Sequence, residues 1–110
     1  MSWDISIKLE HCRECLRPAE TISVGNTTYN NSAIFNELGC HPASYEGLHA
    51  REVSLMARNA LERAQDPLVY VKLHSLRPET GWGGIESSLQ FLTKLRENCE
   101  LYPKGILEVS

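Results

Sequence analysis

Cys12 and Cys15 form a Cys-x-x-Cys pair directly after a stretch of alternating apolar and polar residues. Zinc takes about four soft or borderline ligands in a tetrahedron, and a Cys-x-x-Cys turn aims two thiolates at one point. Cys40 and His41 are the cluster chemically suited to complete the set, with His11 as a spare. The competing reading is a pair of reduced thiols in a surface turn. Side chains on adjacent residues such as Cys40 and His41 usually point apart, and no glycine follows Cys15 to ease a tight knuckle. A redox role fits less well, because redox Cys-x-x-Cys motifs open a helix, whereas Pro18 and a second strand follow here. Cys99 falls on the apolar stripe of a helix and reads as a small core residue.

A second cluster is the polar run Asn26-Thr27-Thr28-Tyr29-Asn30-Asn31-Ser32, which lies between an expected strand and an expected helix. Such a connection can aim amides, hydroxyls and free helix N–H groups at one small or anionic ligand. Asn26, Thr28, Tyr29 and Asn30 are the binding candidates. Asn31 and Ser32 read instead as capping residues for the helix. A third cluster is Arg77-Pro78-Glu79-Thr80-Gly81-Trp82-Gly83-Gly84. Glycines beside Trp82 let the backbone present the indole at a fixed angle, either to stack on a planar ligand or to plug the core. Arg77 would supply charge complementarity to an anion. His41, His49 and His74 are scattered, and no nucleophile elbow, P-loop or metalloprotease helix accompanies them. A hydrolase using His49 or His41 with Glu46 or Asn30 therefore ranks last.

The elements that must position these residues follow from periodicity. Ile5, Ile7 and Leu9 alternate with Ser6, Lys8 and Glu10 as in a half-buried strand. Thr21–Val24 is a second short strand, closed by Gly25-Asn26, so the Cys-x-x-Cys segment reads as the loop of a hairpin. A short helix is expected over Ala33–Leu38 with Gly39 to stop it. The stripe Val53, Met56, Ala57, Ala60, Leu61 and Ala64 predicts a helix over about His49–Ala64, and Asp66-Pro67 ends it. Leu68–Val71 reads as a strand on propensity alone. Ile85, Leu89, Leu92, Leu95 and Cys99 predict the last helix, Ile85 to about Glu100, and Ile106–Val109 a final strand. The result is a single α+β domain over residues 1–110. A small antiparallel sheet, the N-terminal hairpin plus the C-terminal strand, packs against two main helices.

Composition narrows the partners. Eleven basic against fourteen acidic residues give a net charge of −3, and no Lys/Arg run is present, which argues against nucleic acid or an anionic membrane surface. The opening residues lack a basic and then apolar export signal, and no stretch approaches the roughly 18 apolar residues of a membrane span. A cytoplasmic location is expected, where cysteines are reduced thiols or ligands. Zinc is the one cofactor that the residues suggest.

Asn26-x-Thr28-Tyr29-Asn30 followed by Ala33-x-Phe35, and later Pro78-Glu79-x-Gly81-Trp82-Gly83 before a leucine-rich helix, a proline and a terminal strand, resembles a family of small uncharacterised bacteriophage and prophage proteins. The resemblance covers most of the chain at the level of motifs. Arg77 and Thr80 stand where that family usually carries Asn. It implies a phage or mobile-element origin, host cytoplasm as the location, and an anti-defence role by association. The leading expectation is a non-enzymatic binding protein. Its ligand would be a small polar or nucleotide-like molecule or a host protein, gripped where the two motifs converge. A zinc-stabilised interaction module is the alternative, and a homo-oligomer is compatible with either.

Overall fold

The computed structural model describes residues 1–9, 20–76 and 84–110. Cys12, Cys15 and His11 of the thiol cluster, and Arg77 and Trp82 of the glycine-rich one, lie outside the described residues.

Strand β1 (Ser2–Leu9) sits between β2 (Glu20–Thr28) and β3 (Ile106–Val109) in an antiparallel sheet of order β2-β1-β3. The N- and C-terminal strands are therefore neighbours, with Ile5 opposite Val109 and Ile7 opposite Leu107. The free side of β3 is closed by backbone bonds from Gly47 to the Leu107 carbonyl and from Leu107 to the Leu48 carbonyl, both 2.9 Å. Ile5, Ile7, Leu9, Val24 and Leu107 face the helices and are buried. Asp4, Lys8, Thr21, Ser23 and Asn26 stand exposed, as alternation along a half-buried strand requires.

β2 is longer than the expected Thr21–Val24. Pairing shifts register between Ile5 and Ser6, a bulge made at Gly25, whose φ of 146° side chains rarely adopt. The extra residue reverses the alternation, so Val24 and Thr27 both point inward while Asn26 points out. A period of two read without the bulge ends the strand too early. Asn26–Thr28 thus belong to the sheet and not to a connecting loop.

Beyond β2 the chain makes a 3-10 turn over Tyr29–Asn31 and enters α1 (Ser32–Leu38), which Gly39 stops in the left-handed conformation at φ 72°. A second 3-10 turn, Pro42–Ser44, leads to α2 (Ala50–Arg63). The expected stripe is the buried one: Val53, Ala57 and Ala60 are fully enclosed, with Met56 and Leu61 at its margins. α4 (Ile85–Leu101) buries Ile85, Phe91, Leu92, Leu95 and Cys99 against α2 and the sheet.

The segment after α2 corrects the propensity reading. Leu68–Val71 lies in a helix, α3 (Pro67–Ser75). The cause is local and sits just upstream: the Asp66 carboxylate accepts from the Leu68 N–H at 2.9 Å, and Pro67 occupies the first turn, where its missing N–H costs nothing. A cap and a proline outweigh two β-branched valines. Lys72 and Arg63 then share Glu37 of α1, at 3.1 and 3.5 Å. The Lys72 hydrogen bond is the main reason that the Glu37 carboxyl lies below the usual carboxylate range.

Candidate functional site

At the end of the sheet where β2 finishes, three rings meet. Trp3 sits on the helix-facing side of β1, opposite Thr27, and stays half-buried because the sheet ends beside it. Tyr29 is the first residue past β2. Its N–H donates to the Met1 carbonyl at 3.2 Å, and its ring lies 4.3 Å from that of Trp3 at a 44° tilt. His41 meets the same indole edge-on at 5.0 Å and 79°. These are favourable aromatic separations. Tyr29 nonetheless remains 41% exposed.

His41 is held from below. Its neighbour Cys40 is fully buried, with Sγ 3.2 Å from the Tyr45 hydroxyl, and that hydroxyl donates to the Cys40 carbonyl at 2.6 Å. Burial raises the Cys40 thiol and the Tyr45 phenol well above their ordinary values, so both stay neutral and the loop is pinned by an uncharged pair. Nδ1 of His41 accepts from the Ala43 N–H at 3.1 Å. In the neutral ring this leaves the proton on Nε2, which becomes a donor.

Cys40 therefore faces the core while the His41 ring lies on Trp3, the divergence that adjacent residues ordinarily show. Among the described residues, no group of three or more His, Cys, Asp or Glu side chains is placed to hold a metal ion. The other proposed acid–base groups have structural engagements. Glu46 accepts from the Val109 N–H at 2.5 Å, and His49 precedes α2 in a bridge to Ile106.

The seven polar residues from Asn26 to Ser32 divide by role. Asn26 faces solvent across from Asp4 and donates weakly to Ser2 Oγ at 3.5 Å. Thr28 caps the 3-10 turn, its Oγ1 accepting from the Asn30 N–H at 3.2 Å. Asn30 is exposed beside Tyr29. Ser32 Oγ donates back to the Tyr29 carbonyl at 2.6 Å. Asn31 is structural, as its type and place suggested, yet its side chain makes no capping bond to α1. It is 1% exposed and reaches across the fold. Its Oδ1 accepts from the Gly84 N–H at 2.7 Å, and Nδ2 donates to Ser87 Oγ at 3.2 Å and Thr27 Oγ1 at 3.4 Å. The polar block is thereby joined to the last glycine of the glycine-rich segment and to the start of α4.

Trp3 was missed in the sequence, where the alternation was read only from Ile5 onward. The available signal was its parity with Ile5 and Ile7, which assigns a large aromatic to the last inward position of the sheet. His41, singled out in the sequence as a possible metal ligand, packs its ring against Trp3. Among the described residues no helix is long and apolar enough to cross a membrane. No protein-family signature matches the chain, and no curated protein or solved structure gives a significant match.

Proposed function

We propose that this chain is a non-catalytic binding protein whose ligand is small, planar and polar, of the nucleotide type. The observation that carries this reading is Tyr29, backed on one face by Trp3 at 4.3 Å yet 41% exposed. A ring already immobilised by a second ring has lost its rotamer freedom before binding, so stacking a base on its open face orders little more. Neighbouring groups suit the edges of such a ligand: the Nε2–H donor of His41 and the amides of Asn30 and, around the strand edge, Asn26. Asn31 ties this block to Gly84 at the start of α4 and so holds it rigid. The resemblance to small phage proteins supports an origin for the ligand: a nucleotide-like signal of the host cytoplasm, withdrawn by capture.

Isothermal titration with adenosine, guanosine and cytidine nucleotides tests this. Stacking of a base on an aromatic side chain is worth about 1–3 kcal/mol. Tyr29→Ala is therefore expected to weaken binding by roughly tenfold or more, and Tyr29→Phe to leave it nearly intact. Absence of saturable heat with every nucleotide at millimolar concentration, or undiminished binding by Tyr29→Ala, refutes the proposal.

A further inference from the structure

One stripe of α4 carries oxygen acceptors strung along its length. Glu86, Gln90, Thr93 and Glu97 lie within about 60° of one another around the helix, at axial positions of about 0, 6, 10.5 and 16.5 Å. With Leu89, and with Tyr70 of α3, they line an open groove of about 580 Å³. Thr93 Oγ1 donates to the Leu89 carbonyl at 2.9 Å, which leaves its lone pairs able to accept. Among the described residues, neither Glu86 nor Glu97 enters an ion pair. Lys94 also borders the groove, but it stands about 80° around the helix from Glu86, and its side chain lies against Gly25 of β2.

We propose that this groove is a second binding site, for a linear polyamine extended along α4. Two carboxylates against one ammonium that leans to the sheet favour a cation. The acceptors are spread along the helix instead of converging on a point, so a metal ion cannot gather them. A chain of amines can. In an extended tetra-amine with spacers of three, four and three carbons, single bonds of about 1.5 Å place the nitrogens at about 0, 5, 11 and 16 Å. These positions match Glu86, Gln90, Thr93 and Glu97 to within about 1 Å. The terminal ammoniums then meet the two carboxylates, and the inner amines donate to the Gln90 and Thr93 side-chain oxygens. Leu89 lies beside the methylenes, and Tyr70, 42% exposed, offers a ring face to a cation. An extended basic peptide fits less well, because its side chains alternate between two sides and its backbone groups would find no ladder here. The groove shares no residue with the Trp3, Tyr29 and His41 cluster, so the two sites stand or fall separately.

Isothermal titration of the full chain at low salt decides the matter, with three probes: spermine, the twelve-carbon terminal diamine of the same length, and the four-carbon diamine. The expected result is one saturable spermine site, with the long diamine binding more weakly and the short one weakest. The two diamines carry equal charge, so their difference reads the spacing of Glu86 and Glu97. Glu86→Gln/Glu97→Gln, at two exposed positions, is expected to keep the wild-type circular dichroism and to weaken spermine at least about fivefold. Tyr70→Leu keeps an apolar wall without the ring and should weaken it about two- to fivefold. Lys94→Gln removes the opposing charge and should tighten it. No saturable spermine binding up to about 1 mM overturns the proposal. So does equal affinity for the two diamines, which marks a diffuse response to charge, or unchanged spermine affinity in Glu86→Gln/Glu97→Gln, which places the cation elsewhere on this acidic chain.

Discussion

Removing the Asn31 side chain tests whether one buried amide holds β2, the turn after it and α4 together. Asn31→Ala deletes the acceptor of the Gly84 N–H at 2.7 Å and the donor to Ser87 at 3.2 Å. The 3.4 Å contact to Thr27 is at the limit of a hydrogen bond and adds little. Two good bonds contribute about 1 kcal/mol each, and a stranded buried donor costs about 1–2 kcal/mol more. The total is about 3–4 kcal/mol, which for a domain of this size lowers Tm by roughly 12–16 °C. Urea unfolding followed by circular dichroism measures it. Asn31→Leu separates polarity from packing, since it restores volume without either bond and should recover little. A cycle with Ser87→Ala should return a coupling of about 1 kcal/mol. An Asn31→Ala protein within about 1 kcal/mol of wild type, or an Asn31→Leu protein equal to it, would refute the reasoning.

Gly105→Ala puts a methyl 2.2 Å from Ile7 Cγ2 and 3.2 Å from Leu9 Cδ2, an overpacking that costs about 1–3 kcal/mol. Gly39→Ala meets open space and only the strain of φ 72°, about 1 kcal/mol; equal urea midpoints for the two variants would contradict this ordering. Glu37 has its carboxyl held low by Lys72, so its contribution is present above the ordinary carboxylate range and lost as pH falls through the depressed value. The Tm difference between wild type and Glu37→Gln should accordingly be larger at pH 7 than at pH 3. Burial pushes the Cys99 thiol up to about 12 from 9.0, with the Cys40 thiol adding to the shift. Its unfolded form ionises first, so stability is full below pH 9 and declines as pH rises toward 12; Cys99→Ala should flatten that decline in urea unfolding between pH 8 and pH 11.

What the sequence made legible was set by burial. The stripe from Val53 to Ala60, the one from Ile85 to Cys99, and the alternation of Ile5, Ile7 and Leu9 all report contact with one core, and all three elements stand where the pattern put them. Failures occurred where a single residue overrode a pattern. Gly25 inserted a bulge that carried β2 to Thr28 and turned Asn26 outward. Asp66 and Pro67 started a helix in a segment with strand propensity. Asn31 lay within a run that suggests local capping, but its partners are Gly84 and Ser87, more than fifty residues away. Spacing along the chain carries no signal for such a bond.

The dense polar run divides in the structure into side chains with structural duties and one aromatic ring without them. Polar side chains between a strand and a helix have backbone groups to satisfy, since each helix start leaves N–H groups unpaired. Thr28 and Ser32 are consumed in this way, and Thr27 and Asn31 are buried to join elements. Tyr29 has no such duty in its ring. Its backbone is bonded to Met1 and Ser32, while the ring adds area that the fold only half covers, on a partner that holds it still. That half-covered ring, and not the count of amides around it, is the observation on which the proposed ligand surface rests. Leu68 and Val71 of α3 are likewise apolar and exposed.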